Sequence, residues 1–127
     1  MAPRVSVLMP CFNHGDYIGE AIGSVQEQTF QDFELIVVDD GSTDAATIQK
    51  LQGLSVAQGT VLRTHNRGLP AARNLAASHA TGEFFCALDA DDRLAPTWFR
   101  KAVAALDADP AIAFVSHSLE TFGHERW

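Results

Sequence analysis

Residues 33–42, FELIVVDDGS, contain an apolar run rich in β-branched residues that stops at two aspartates and a glycine. A short run of this kind, bounded by turn-forming residues, is typical of a buried strand. A similar run covers residues 5–9 and ends at Pro10, and between the two runs apolar side chains recur at helical spacing from Ile18 to Val25. The sequence therefore predicts a strand–helix–strand unit.

The same alternation continues along the chain. Capping residues, and proline or glycine near the ends, predict three further helices at 42–53, 70–81 and 96–109. Gly82 is expected to end the second of these. Three further strands are predicted at 60–63, 83–88 and 111–115. This alternation indicates one α/β domain, with a mostly parallel sheet flanked by helices on both faces.

Composition limits the partners and the location of the chain. The formal net charge of −7 argues against nucleic acid, because proteins that bind phosphate backbones carry basic surfaces. Cys11 and Cys86 each lie in an apolar segment and are expected to be buried thiols of a reduced, cytoplasmic protein. No apolar run reaches the roughly 18 residues of a membrane span. Any attachment of a longer protein to the inner face of the membrane is therefore expected to be peripheral.

Polar and turn-forming residues follow three of the predicted strands, at 10–13, 39–42 and 89–92. Parallel strands place their carboxyl ends at one edge of a sheet, and ligands of open α/β sheets bind in a crevice at that edge. We call these three segments the rim. The sequence predicts that they lie together and form the binding site.

The most acidic part of the rim is the stretch DADD at 89–92, which we call the acidic loop. Asp89 and Asp91 project to the same side of an extended segment, and their mutual repulsion predicts a positive charge nearby. Mg²⁺ or Mn²⁺ would meet that need, because hard cations prefer carboxylate oxygens. The alternative is an acidic turn that is merely solvated, and an isolated D-x-D pattern does not decide between the two.

Three other side chains have two interpretations each. Asp40, with Asp39, could accept hydrogen bonds from a base or a ribose, or could belong to a turn and a helix cap. Phe12 could stack on a base or pack into the core. Arg73, near the start of a predicted helix, could bind phosphate or lie on the surface. The residues alone leave these alternatives open.

Several linked motifs resemble one family. Residues 5–44 and 66–92, followed by a proline and a helix, are similar to glycosyltransferase family 2, the inverting nucleotide-sugar transferases of the GT-A fold. The resemblance extends to about Ser116. It implies the Rossmann-like, nucleotide-binding half of that fold. It also implies transfer of a sugar from a nucleotide diphosphate sugar, usually a UDP-sugar, to an acceptor hydroxyl. The acceptor would be a glycan, a lipid or another molecule of polysaccharide or cell-envelope biosynthesis.

The resemblance also implies roles for residues of the rim. Pro10, Phe12 and Asn13 match the first nucleotide-contacting segment, with Phe12 against the base. Asp40 matches the aspartate that recognises the base, and Arg73 falls beside the nucleotide.

The acidic loop matches the D-x-D motif of the family. The resemblance places Asp89 near the ribose or the metal and makes Asp91 a ligand of Mn²⁺ or Mg²⁺. Asp92 is a competing ligand.

The chain is shorter than the family's usual catalytic domain. We therefore expect residues 1–127 to supply donor binding, with the acceptor half and the general base beyond Trp127. Glu120 and Glu125 come too early in the sequence to suit the role of general base.

Three other classes of protein share some of these features. A phosphoacceptor receiver domain needs an acidic pair after its first strand and a lysine after its fifth, where this chain has Pro10-Cys11 and Ser116-His117. A dehydrogenase needs a G-x-G-x-x-G pattern after the first strand, which is absent here. The third alternative is a non-catalytic nucleotide-binding or scaffolding module that dimerises through apolar residues near its end, namely Phe114, Leu119, Phe122 and Trp127.

Overall fold

The computed structural model describes residues 2–116. Four strands and four helices alternate there, in the order β1 (Val5–Cys11), α1 (Gly15–Gln26), β2 (Phe33–Asp39), α2 (Ala45–Gln52), β3 (Gly59–Arg63), α3 (Leu69–His79), β4 (Phe84–Ala87) and α4 (Trp98–Ala108). The predicted alternation is confirmed over these eight elements. Some residues named in the sequence analysis lie outside the described part: Leu119, Glu120, Phe122, Glu125 and Trp127.

The strands form one parallel sheet in the order β3-β2-β1-β4. β1 lies between β2 and β4, and all of its residues are buried. This explains why its sequence is continuously apolar rather than alternating, since a parallel strand covered on both faces has no solvent side.

Helices cover both faces of the sheet, as predicted. Alternate side chains of β1 separate the two layers. Val7 and Met9 share one buried cluster with side chains of α1, α2 and α4, whereas Leu8 shares a second cluster with Ala72 and Ala76 of α3. One face therefore carries three helices and the other carries α3. Both cysteines are free thiols, Cys11 buried and Cys86 half-buried.

The predicted fifth strand at 111–115 is wrong. Residues 111–116 form no strand, and Phe114 is 81% exposed. An apolar pattern can indicate a surface suited to a sheet, but a strand also needs a neighbour that accepts and donates its backbone hydrogen bonds. Within residues 2–116 this segment pairs with neither edge of the sheet.

The predicted role of Gly82 is also wrong. α3 ends at His79, and Ala80, in an extended conformation, is its C-cap. Gly82 instead lies against the start of β1, where an added Cβ would be 2.5 Å from Ser6 Oγ and 2.8 Å from Ser6 N. Glycine is needed there because two backbone segments approach closely.

None of the helices within residues 2–116 combines the length and the apolar character needed to cross a bilayer.

Candidate functional site

The three segments of the rim lie together, as the sequence predicts. The N–H of Asp40, just after β2, donates to the carbonyl of Cys11 at the end of β1, at 2.8 Å. The N–H of Leu88, just after β4, donates to the carbonyl of Leu8 at 3.0 Å. The central position of β1 thus brings the ends of its two neighbours to one edge.

Asn13 joins the first segment of the rim to the second. It adopts a left-handed backbone conformation, with φ of 57°. Its Oδ1 accepts hydrogen bonds from the N–H groups of Thr43 and Asp44, each at 2.9 Å, and its own N–H donates to Ser42 Oγ at 3.0 Å. The side chain of Asn13 is therefore engaged in holding two loops together.

The two aspartates at the end of β2, Asp39 within the strand and Asp40 directly after it, are both buried and both bonded to the protein. Asp39 accepts the N–H of Ser42 at 2.9 Å and lies 3.4 Å from the guanidinium of Arg63. Asp40, 1% exposed, accepts the N–H of Arg67 on one oxygen and that of Gly68 on the other, at 2.9 and 3.0 Å. Asp40 therefore fixes the chain just before α3, and each of its oxygens retains a second lone pair.

The turn and cap interpretation of this segment is confirmed in part. Gly41 has a φ of 71°, and an added Cβ would lie 2.6 Å from the backbone N of Asn66, so the turn requires glycine. The helix cap, however, is Asp44 and not Asp40. Its carboxylate accepts the N–H of Thr47 at 3.0 Å, which satisfies a free donor at the start of α2.

The acidic loop folds into a turn, closed by a hydrogen bond from the N–H of Asp92 to the carbonyl of Asp89. Asp89, Asp91 and Asp92 each offer a carboxylate oxygen, and the three atoms lie within 4.8 Å of one another. Hard divalent cations such as Mg²⁺ and Mn²⁺ prefer carboxylate oxygens as ligands. The three oxygen donors gathered on one turn are therefore of the type that suits such a cation.

The charges of the acidic loop act on one another. Partial desolvation and then the charges of Asp91 and Asp89 raise the pKa of Asp92, whereas the imidazole of His14 opposes that change. His14 precedes α1, and its ring lies 6.2 Å from that of Tyr17 in an edge-to-face arrangement. No role is predicted for His14 from the sequence. The signal that could have identified it is its position directly after Asn13, the last residue of the first rim segment.

Arg73 provides a positive charge at the acidic loop. It lies in the second turn of α3, and its Nη2 donates to Asp89 Oδ1 at 2.8 Å. The two side chains are 34% and 39% exposed. The repulsion within the acidic loop predicts a positive charge here. The pairing of Arg73 with Asp89 is not predicted from the sequence, which assigns Arg73 to phosphate or to the surface.

The remaining predicted residues are at the end of β1. Pro10 is buried within the strand, and Phe12, the next rim residue but one, is half-buried. Phe12 belongs to neither of the two core clusters found in the described residues. Stacking of its ring on a base stays a prediction.

A separate cavity of about 680 Å³ begins beside the end of the rim and extends away from it. It runs between β4 and α4 and is bordered by residues 113–116. Its lining is mainly apolar, including Phe84, Trp98 and Leu106, and it reaches the acidic loop only at Asp92. These side chains do not suit a nucleotide diphosphate, so we place the candidate site at the rim.

A parallel sheet between helices, with polar loops gathered at its carboxyl edge, defines a Rossmann-like α/β protein. The chain belongs to glycosyltransferase family 2, because the family model described as Glycosyl transferase family 2 matches residues 6–127. This membership confirms the resemblance of the motifs and excludes the receiver and dehydrogenase alternatives.

Similar proteins are found by sequence and by structure. The putative teichuronic acid biosynthesis glycosyltransferase TuaG of Bacillus subtilis is 32% identical over 92% of this chain and 48% of its own length. The mannosyltransferase PcManGT of Pyrobaculum calidifontis, solved with GDP-Man and Mn²⁺, has a TM-score of 0.74 and 34% identity, over 88% of this chain and 34% of its own. TarS residues 1–349 of S. aureus, solved with UDP, has a TM-score of 0.71 and 33% identity, over 83% and 32%.

These matches confirm the GT-A type of fold. The chain spans less than half of the length of each of these proteins.

Proposed function

We propose that this chain is the donor-binding half of an inverting glycosyltransferase, which transfers a sugar from a nucleotide diphosphate sugar to an acceptor hydroxyl. The gathering of the three rim segments around one edge of the sheet carries this proposal. Family membership and the nucleotide complexes of two structural relatives support it. The name of TuaG supports an acceptor in cell-envelope polysaccharide synthesis.

The nucleotide is assigned to the second and first segments of the rim. Asp40 is held with its carboxylate fixed by two backbone N–H groups, and its remaining lone pairs can accept a hydrogen bond from a base N–H. Phe12 is available to stack on the base, and Pro10 and Asn13 shape the loop beneath it. Uracil is proposed as the base. TarS was solved with UDP, whereas PcManGT was solved with GDP-Man, so a guanine nucleotide is the competing donor.

The acidic loop is assigned to a divalent cation, Mn²⁺ or Mg²⁺. Asp91 and Asp92 are exposed and can turn their oxygens toward the ion, and Asp89 is half-buried and bonded to Arg73. A cation held there by Asp91, with Asp89 or Asp92, would supply positive charge to the departing diphosphate. The Mn²⁺ complex of PcManGT supports this assignment.

We assign the acceptor-binding site and the general base to a part of the protein beyond Trp127. A general base must lie within hydrogen-bond reach of the acceptor hydroxyl. The described acidic side chains of the rim are engaged in loop contacts or are assigned to the cation. We therefore propose that the chain binds the donor but transfers sugar poorly by itself. A cytoplasmic location, with peripheral attachment of the longer protein to the membrane, suits a nucleotide-sugar donor.

One observation favours a second candidate function. Among residues 2–116, the apolar cavity beside β4 and the exposed ring of Phe114 form a surface at one edge of the sheet that no described element covers. A non-catalytic nucleotide-binding module that forms a homodimer through this surface is the alternative.

Titration calorimetry with UDP, with and without Mn²⁺, tests the first proposal. We expect UDP to bind in the presence of Mn²⁺, and Asp91→Asn to lower that affinity by about tenfold or more, because it removes a charged ligand. The matched control is Asp32→Asn, an exposed aspartate before β2 at the opposite edge of the sheet. Absence of UDP binding in the unaltered chain, or an equal loss in Asp32→Asn, would contradict the proposal.

A further inference from the structure

We propose that Arg73 makes the binding of a divalent cation and of a nucleotide diphosphate mutually dependent, by neutralising Asp89 when neither is bound. The nucleotide part of this inference rests on the proposed function. The observation behind it is the hydrogen bond from Arg73 to one oxygen of Asp89, next to two further carboxylates.

The first step concerns the bare cation. An arginine side chain keeps its charge at all ordinary pH values. Three carboxylates alone would attract a divalent cation strongly, and the guanidinium beside Asp89 reduces that attraction because it places a like charge at the same loop. Arg73 also engages one lone pair of Asp89 Oδ1, so the guanidinium competes with a cation for that oxygen. A cation by itself is therefore held weakly.

The second step concerns the diphosphate. An anion that arrives with the cation is attracted by the same guanidinium, and a diphosphate oxygen can accept its remaining N–H groups. Arg73 thus opposes the cation alone and favours the cation with its anionic partner. The acidic loop is expected to select a nucleotide–metal complex over free metal.

The third step concerns the position of Arg73. Asp40 fixes the chain at Arg67 and Gly68, directly before α3. α3 is also buried against the sheet through Ala72, the residue before Arg73. The guanidinium therefore reaches Asp89 from a fixed helix. Arg73 therefore acts as a positioning residue, because it holds the Asp89 carboxylate by a hydrogen bond and offsets its negative charge.

The test compares Arg73→Met, Arg73→Lys and the control Arg100→Met, which removes an exposed charge on α4. Binding of Mn²⁺ alone is measured by electron paramagnetic resonance, and binding of UDP with Mn²⁺ by calorimetry. For Arg73→Met we expect Mn²⁺ alone to bind about three- to tenfold more tightly and UDP with Mn²⁺ to bind more weakly by a similar factor, because the two ligands have opposite charges. Arg73→Lys keeps the charge and should restore most of both affinities.

Opposite changes in the two affinities distinguish charge balance from a purely structural role. An Arg73→Met chain with unchanged or weakened Mn²⁺ binding overturns the inference, and so does a response equal to that of Arg100→Met. A chain that binds Mn²⁺ but never UDP contradicts the proposed function instead, and the Mn²⁺ comparison still decides the role of Arg73. Should Arg73→Met fail to fold by circular dichroism, Arg73→Ala and Arg73→Gln provide the same comparison. Loss of folding in every uncharged variant counts against the inference.

Discussion

Asp40 and Asn13 each use their side chains on backbone N–H groups of a neighbouring loop. Hydrogen bonds of this kind leave the loops of the rim with fixed shapes before any ligand arrives. A preorganised site loses less conformational entropy when it binds. The contacts that hold the loops are therefore part of the binding function, even where the side chain does not touch the ligand.

Glu34 also makes contacts that reach across the fold, at the opposite edge of the sheet from the rim. Its Oε2 accepts hydrogen bonds from Ser6 Oγ at 2.5 Å, from the N–H of Thr81 at 2.7 Å and from Thr81 Oγ1 at 2.9 Å. Burial alone would raise the pKa of Glu34, but the hydrogen bonds from Ser6 and Thr81 outweigh it and lower the pKa. The ionised carboxylate therefore stabilises the folded chain.

The sign of that shift gives a pH prediction. Because the folded pKa lies below the ordinary value of 4.5, the stabilisation is present above pH 4.5 and is lost as the pH falls through the folded pKa. Glu34→Gln should lower the free energy of unfolding at neutral pH by about 1–2 kcal/mol. It should also flatten the decline of stability below pH 4.5, as measured by urea unfolding at several pH values. Glu27→Gln, an exposed glutamate, is the control, and an acid decline that is identical in Glu34→Gln and the unaltered chain would contradict the prediction.

Among the elements, the connection from α3 to β4 is held by hydrogen bonds from two successive backbone N–H groups. Thr81 and Gly82 both donate backbone N–H groups to the Ser6 and Glu34 cluster, and Ser6 Oγ accepts the N–H of Gly82 at 2.8 Å. These hydrogen bonds fix the position along β1 at which β4 begins. The register of β4 in turn decides where the acidic loop begins.

Gly82→Ala tests this constraint. The new methyl group would lie under 3 Å from both Oγ and N of Ser6, so backbone must move. We expect a loss of about 1–3 kcal/mol in the free energy of unfolding, measured in urea. Gly23→Ala, in the middle of α1, is the matched control, since its methyl group would have no atom within 4 Å and should stabilise the helix by about 0.5–1 kcal/mol. Equal stability of the two variants would show that the close approach is not limiting.

At the scale of the whole fold, the main feature is the β4 edge of the sheet, which no other part of residues 2–116 covers. Among these residues β4 pairs only with β1, and Phe85, which projects from β4, is 56% exposed. With the adjoining cavity and Phe114, this makes an apolar surface of the kind that marks an interface. A free strand edge is also able to pair with a second chain.

The homodimer alternative gives a direct prediction at this scale. Sedimentation over a wide range of concentration should show self-association of the 127-residue chain, and Phe85→Lys should weaken it by about tenfold or more, because a lysine on an edge strand opposes pairing. Tyr17→Lys changes an equally exposed aromatic residue on α1 and should have no such effect. A chain that stays monomeric at every concentration would rule out this alternative.

Much of the fold followed from local patterns in the sequence. The periodicity of apolar residues and the position of proline and glycine predicted eight elements, because these signals act within one turn or one strand. The linked motifs, such as the aspartates at the ends of β2 and β4, identified the family and predicted which residues form the rim. Gly82 and residues 111–115 were misinterpreted, since their roles depend on a distant neighbour or on the lack of one.

The sequence by itself therefore determined the alternation of helices and strands, the family and the residues of the rim. Only the tertiary structure decided that Arg73 meets Asp89, that Asp40 holds the start of α3, and that Gly82 must pass close to Ser6. The physical reason is that each of these contacts joins residues between 16 and 76 positions apart. Such pairs are set by the order of strands and the packing of α3 on the sheet, which local propensities do not encode.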